Sequence, residues 1–289
     1  MTDLSTLPTD IHVHIQPWGM MNPSAFETIR KNRPDYALIE RLMDDPGALV
    51  GWLDETGIGR IGMINYVAPD IMGFTHAVNP WAARYRDGAA GRVIAFGGIH
   101  PPACDDVDEE MRRIVDDWRL DALKIHPPHQ ALSPDAYVTG DCPELARVYE
   151  ACQEAGLPVM FHTGTSIFPG ARSRLGRALV LDDVAVDFPE LKIILAHGGR
   201  PLWMAEAFFL LRRHRNVYMD ISGIPPAKLL DYFPRLEEIS NKALFGTDWP
   251  SPGVKDLRAN LDTFMKLPLT DEAKDRITRA NALALFPID

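Results

Sequence analysis

Five short apolar runs in this 289-residue chain end in side chains that bind metals or carry protons. They are Asp10-Ile11-His12-Val13-His14, Leu123-Lys124-Ile125-His126-Pro127, Met160-Phe161-His162-Thr163-Gly164, Leu195-Ala196-His197-Gly198-Gly199 and Phe245-Gly246-Thr247-Asp248-Trp249. Residues two apart on a strand share a face, so His12 and His14 point the same way, as do Lys124 and His126. Neutral imidazoles joined by a carboxylate make a borderline-soft nitrogen and oxygen donor set. Such a set suits zinc, with manganese as the alternative, and leaves a position for water. One histidine on a strand is most often a hydrogen-bonded core residue; four at strand ends together with an aspartate ask for a shared site.

The elements that must gather these residues follow from the hydrophobic period. Strand-like runs fall at 9–15, 60–66, 93–99, 121–126, 158–163, 192–197, 216–222 and 243–248. Helical spacing marks 105–118, 143–155, 205–213, 255–265 and 271–285, and Gly156 supplies a stop after the second of these. Strands alternating with helices, and apolar on both faces, predict a parallel sheet covered by helices. Eight such units close as a single-domain (β/α)8 barrel, a TIM barrel over 1–289 in the α/β class. An open doubly wound sheet would leave edges, and no glycine-rich phosphate loop follows the first strand. The Pro- and Gly-rich stretches 18–23, 127–134, 168–177 and 249–253 each follow a strand, which puts them at the barrel mouth where active sites form.

Composition narrows the function. A formal charge of −10 argues against nucleic acid or an anionic membrane as partner, but not against a small anion bound at a metal cleft. Three cysteines without paired spacing are expected to be reduced thiols. Neither a signal peptide nor a membrane-spanning run is visible, so a cytoplasmic enzyme is expected, with a homo-oligomer left open.

The order of these motifs resembles the amidohydrolase superfamily, in its second large sequence branch of metal-dependent hydrolases and nonoxidative decarboxylases. His-x-His on the first strand, His on the fifth and sixth and Asp on the eighth carry the resemblance, which extends to the closing run 281–286. It implies that His12, His14, His162 and Asp248 hold a divalent ion, and that His197 is a catalytic or second-metal imidazole. Lys124 stands where binuclear members carry a carboxylated lysine bridging two metals. The branch works mainly with one ion, so one is expected here. Lys124 then pairs with a carboxylate or binds that of the substrate.

Around this centre Arg200, three residues past His197, leads Arg172, Arg174 and Arg177 as a clamp for a substrate carboxylate. His126, Trp18 and Trp249 are the remaining substrate-contact candidates, with Phe168 and Trp203 as further aromatic walls, and Asp220 and Ser222 as orienting groups. His76, His100, His129 and His214 suggest no role. Two activities share this residue set. The first is hydrolysis of an amide, ester or lactone in a small organic acid by metal-activated water, with Asp248 as proton shuttle. The alternative is a carboxy-lyase acting on an aromatic or unsaturated carboxylate at the same site.

Overall fold

Strands rich in Val, Ile and Leu on both faces must bury both, one against the barrel interior and one beneath helices. The computed structural model, which describes residues 3–31, 33–251 and 253–288, arranges them so. Eight parallel strands follow chain order: β1 (Thr9–Val13), β2 (Arg60–Met63), β3 (Val93–Gly97), β4 (Ala122–Ile125), β5 (Val159–Gly164), β6 (Ile193–Arg200), β7 (Val217–Asp220) and β8 (Ala243–Leu244). Backbone hydrogen bonds outside the regular ladder close β8 onto β1. Ile11 donates to the Phe245 carbonyl at 2.9 Å, Asp248 to that of His12 at 2.8 Å, and His14 to that of Trp249 at 2.7 Å. The result is a single-domain, nearly closed (β/α)8 barrel, as the alternation predicts.

Ile94, Phe96, Ala122, Met160, Ile194 and Leu244 belong to a buried cluster that fills the barrel interior. A larger cluster, with Val93, Leu123, Phe161, Ile193 and Leu195, joins the outer strand face to the helices. Gly62 in β2 lets two strands meet closely: a Cβ there would lie 2.1 Å from the Ile11 carbonyl oxygen. Beneath the mouth, the buried Asp10 carboxylate accepts from the His12 and Thr247 amides at 3.1 and 3.0 Å and from the Thr247 hydroxyl at 2.7 Å. It thus ties β1 to the segment after β8.

Several expected bounds shift. The first strand stops at Val13, leaving His14 just beyond it, and the expected strand 243–248 keeps regular pairing only at Ala243–Leu244. Past Leu244 the backbone pairs with β1 and turns through a left-handed conformation at Asp248, with φ of 70°. Helix 105–118 divides into an α-helix, Val107–Arg112, and a π-helical turn, Arg113–Asp117. Helix 271–285 is likewise interrupted by a π-helical turn at Arg276–Ala280. Between β1 and β2 lie three helices that the period did not bring out, Pro23–Arg30, Tyr36–Asp44 and Pro46–Thr56. The last starts on an Asp45 cap that accepts from the Ala48 amide at 3.0 Å and ends at Gly57 in the left-handed region. No helix among the described residues is long and apolar enough to cross a membrane.

Candidate metal centre and substrate cavity

At the strand ends, a cavity of about 490 Å³ opens between the loops expected at the mouth. Its lining includes His12, His14, Lys124, His126, His162, His197, Arg200 and Asp248. Trp18 and Phe168 contribute aromatic wall, Trp18 resting on Tyr36 with ring centroids 6.0 Å apart. In the loop 249–253, Pro250 and Ser251 face the cavity, while Pro252 lies outside the described residues. Trp249 does not line it: the ring is buried in the outer core, 4.8 Å from that of Trp52. Trp203 is absent from the lining as well. Arg172, Arg174 and Arg177 lie off the cavity, and Arg177 is engaged by Glu206 at 2.9 Å, which leaves Arg200 as the arginine at the site.

His12, His14 and Asp248 place their donor atoms within 4.8 Å of one another. The Asp248 Oδ1 atom lies 3.0 Å from His14 Nε2 and 3.5 Å from His12 Nε2. His12 Nδ1 donates to the Asp220 carboxylate at 2.7 Å, which fixes its single proton there and leaves Nε2 as a buried lone pair without a hydrogen-bond partner among the described residues. A nitrogen orphaned in this way, beside a second imidazole and a carboxylate, fits a divalent cation as its missing partner. Burial works against ionisation of Asp248. The His14 hydrogen bond and the electrostatic influence of His12, His14 and Arg200 outweigh it and hold the carboxyl well below its ordinary range.

A second group of donor atoms, from His12, His197 and Asp220, is already internally bonded. Ser222 donates to Asp220 and accepts from His197 Nδ1 at 2.8 Å, and the Ser222 carbonyl oxygen lies 3.2 Å from the same nitrogen. A carbonyl only accepts, so His197 carries its proton on Nδ1 and turns an unprotonated Nε2 to the cavity. Burial, then the neighbouring imidazoles and Arg200, push it well below the usual histidine range, so it stays neutral. Asp220 thus bonds His12, and Ser222 bonds both His197 and Asp220.

His162 stands outside the compact donor set. Its Nε2 lies 3.3 Å from the Thr165 carbonyl oxygen, its ring stacks on His126 at 3.9 Å, and it approaches His197 at 4.8 Å. The expected four-residue set is thus assembled as three, with His162 on the adjoining wall. Lys124 is fully buried and its Nζ lacks a hydrogen-bond partner among the described residues; burial pushes the amine down to about 8, against the pull of Asp220 and Asp248. Arg200 bonds the Gly223 carbonyl, close to Asp248. His129, assigned no role above, lines the cavity and stacks on His126 at 3.5 Å. Its position three residues past His126 in a mouth loop was the available signal.

His197 and Asp248 are both non-glycine residues with positive φ, 64° and 70°. Left-handed backbone at such residues costs about 1 kcal/mol or more and persists where the surroundings enforce it, commonly at sites.

A family model described as amidohydrolase matches residues 9–288. A dihydroorotase from Shewanella baltica is 34% identical over 92 residues, 31% of this chain and 26% of that enzyme, so the chain spans about a quarter of the length of the curated relatives it matches. Among solved structures, an uncharacterised TIM-barrel protein from Bordetella bronchiseptica superposes with a TM-score of 0.73 at 20% identity, covering 96% of this chain and 97% of that one. A 5-carboxyvanillate decarboxylase from Novosphingobium aromaticivorans, complexed with manganese and 4-hydroxy-3-methoxy-5-nitrobenzoic acid, gives 0.69 at 16%, covering 98% and 97%. A probable 2-pyrone-4,6-dicarboxylic acid hydrolase from Acinetobacter baumannii, with citric acid bound, gives 0.65 at 15%, covering 97% and 99%. At these identities the superpositions establish the fold alone.

Proposed function

This chain belongs to the amidohydrolase family, and from that membership we propose that it is a metal-dependent hydrolase of an amide, ester or lactone bond in a small organic acid. The observation that carries the reading is the convergence of His12, His14 and Asp248 around a buried imidazole nitrogen that has no hydrogen-bond partner among the described residues. One divalent ion, zinc before manganese, would be held by these three residues, with His162 on the adjoining wall of the cavity. When bound, the ion supplies a Lewis acid that acidifies water and polarises a carbonyl group. A second ion at His12, His197 and Asp220 would have to break hydrogen bonds already made there, which favours one over two.

The chain's own groups divide the remaining work. Asp248 takes a proton from the attacking water and returns it to the leaving group. His197, with only Nε2 free, accepts a hydrogen bond from water or from a substrate hydroxyl. Lys124 and Arg200 bind the acid group of the substrate, and the apolar walls limit access of bulk water. Asp248 and His197 both favour their unprotonated forms, and a cation would only reinforce that preference at Asp248. The unprotonated form is the one from which each group can accept a proton.

The second reading, a carboxy-lyase, is favoured by one observation. Lys124 and Arg200 bring two cations to the cavity with no carboxylate among the described residues in hydrogen-bonded contact, a setting that accepts an anionic aromatic acid such as the one in the manganese-bound decarboxylase structure. The test is a panel of lactones, amides and hydroxybenzoates assayed with metal-loaded and chelator-treated enzyme while carbon dioxide is monitored. Metal-dependent ring or amide opening without carbon dioxide is expected. Stoichiometric carbon dioxide release would overturn hydrolysis in favour of the lyase.

A further inference from the structure

A second polar array lines the same cavity and has no part in the chemistry above. Tyr66 Oη lies 3.1 Å from His129 Nδ1, and His129 Nε2 lies 2.8 Å from Ser166 Oγ. All three residues face the cavity, Tyr66 and His129 buried and Ser166 partly exposed. Burial pushes the Tyr66 phenol far up, so it keeps its proton. Burial, then the charges of His14 and Lys124, pushes the His129 imidazole down to about 3, so that ring is neutral with one N–H.

The hydrogen inventory then decides the direction of the chain. If His129 carried its proton on Nδ1, it would donate to Tyr66, and the buried phenol hydrogen would have no acceptor among the described residues. If the proton is on Nε2, Tyr66 donates to Nδ1 and His129 donates to Ser166, and every group is satisfied. Ser166 Oγ also accepts from the Phe168 amide at 3.2 Å. Both lone pairs of the serine are then used. Its own hydrogen remains, and apart from His129 no acceptor among the described residues bonds it.

We propose that Ser166, oriented by Tyr66 and His129, is a specificity-determining residue: its hydroxyl is a fixed donor that selects substrates carrying a second acceptor oxygen, a carboxylate or carbonyl, besides the group held at the metal centre. This rests on the reading of the cavity as a site for a small organic acid. The loop is held for the role, because the Ser166 amide donates to Ser173 Oγ at 3.2 Å. A donor fixed by two incoming hydrogen bonds cannot rotate to become an acceptor without breaking one, so groups that can only donate are disfavoured.

The test uses zinc-loaded protein and three probes, benzoate, benzene-1,3-dicarboxylate and benzene-1,4-dicarboxylate, with binding followed by titration calorimetry. The wild type is expected to bind one of the diacids about tenfold more tightly than benzoate, the scale of one hydrogen bond to a charged group. Ser166→Ala should erase that preference while leaving benzoate affinity unchanged. A preference that survives in Ser166→Ala, or that is absent from the wild type, overturns the proposal. In parallel, the ¹⁵N spectrum of histidine-labelled protein, with the His129 signal assigned by its loss in His129→Asn, should report protonation at Nε2. Protonation at Nδ1 overturns the relay whatever the calorimetry gives. If benzoate itself fails to bind, the acid-binding reading of Lys124 and Arg200 falls, while the His129 tautomer still decides the direction of the relay.

Discussion

The Asp220 carboxylate, on β7, accepts from His12 Nδ1, on β1, at 2.7 Å, and through that bond decides which nitrogen of His12 faces Asp248. The same carboxylate accepts from the His197 and Ser222 amides, each at 3.0 Å. Outer partners of this kind are worth about 10–100-fold in metal affinity. Asp220→Asn is therefore expected to weaken metal binding by about that factor, read by competition with a chromogenic chelator. Thermal unfolding of the metal-free variant, compared with metal-free wild type, separates lost orientation from lost stability.

His12 and His14 are expected to hold the ion together. Elemental analysis of the purified His12→Ala/His14→Ala double variant should find it nearly metal-free beside a wild type holding one ion per chain. Equal metal content in the two proteins would place the ion elsewhere.

Asp248 is expected to matter beyond holding the ion. Asp248→Asn still offers an oxygen to a cation but cannot take a proton at neutral pH. Loss of general-base action costs about 10²–10⁴ in rate, so kcat should fall by that order in variant protein verified to contain metal. A near-wild-type kcat at full occupancy would move the base to His197, whose Nε2 is the nearest alternative in protonation state.

Lys124 divides two chemistries. As a buried ammonium it requires an anionic neighbour, and the substrate acid supplies one. Lys124→Met should then raise KM for carboxylate-bearing substrates by about tenfold with a smaller change for neutral ones, the scale of one charge-assisted hydrogen bond. Reconstitution should need no bicarbonate and should stop at one ion. Two ions with a strict bicarbonate requirement would instead make Lys124 a carboxylated bridge.

Gly62 gives a prediction about the scaffold alone. A methyl group there would collide with the Ile11 carbonyl and press β2 away from the strand that carries His12. Gly62→Ala is expected to destabilise the fold by more than about 2 kcal/mol, measured by urea unfolding of metal-free protein. An unchanged midpoint would show that the two strands have slack where the geometry allows none.

Much of this was legible in the linear chain. A parallel barrel buries both faces of every strand, so the apolar runs stand out, and eight of them mark the eight strands. His12 and His14, two apart on one run, declare a shared face without further information. Lys124 and His126 do the same. Arg200 stood ahead of the other arginines because it follows β6 closely, and it is the arginine at the cavity. The three helices between β1 and β2 were less legible, because that stretch is broken by Pro34, Pro46 and Gly47 and its apolar residues show no single clean stripe.

What the sequence by itself determined is which residues stand at the strand ends and the kind of chemistry their types allow. Only the tertiary structure decided which of them meet. Strict alternation from the interior residues Ile194 and Ala196 would send His197 to the outer face; a left-handed turn at His197 breaks the period and brings the ring inward. Alternation is a property of extended backbone and fails where φ becomes positive. The pairing of His12 with Asp220 spans 208 residues, and that of His14 with Asp248 spans 234. No local rule carries such contacts, because they arise from closing the sheet on itself. The same closure buried Trp249 against Trp52, where its loop position suggested the mouth, and brought His129 into the wall of the cavity. Local period selects faces, but side-chain partners are chosen by the barrel's register and by the hydrogen-bond demands of groups that closure removes from water.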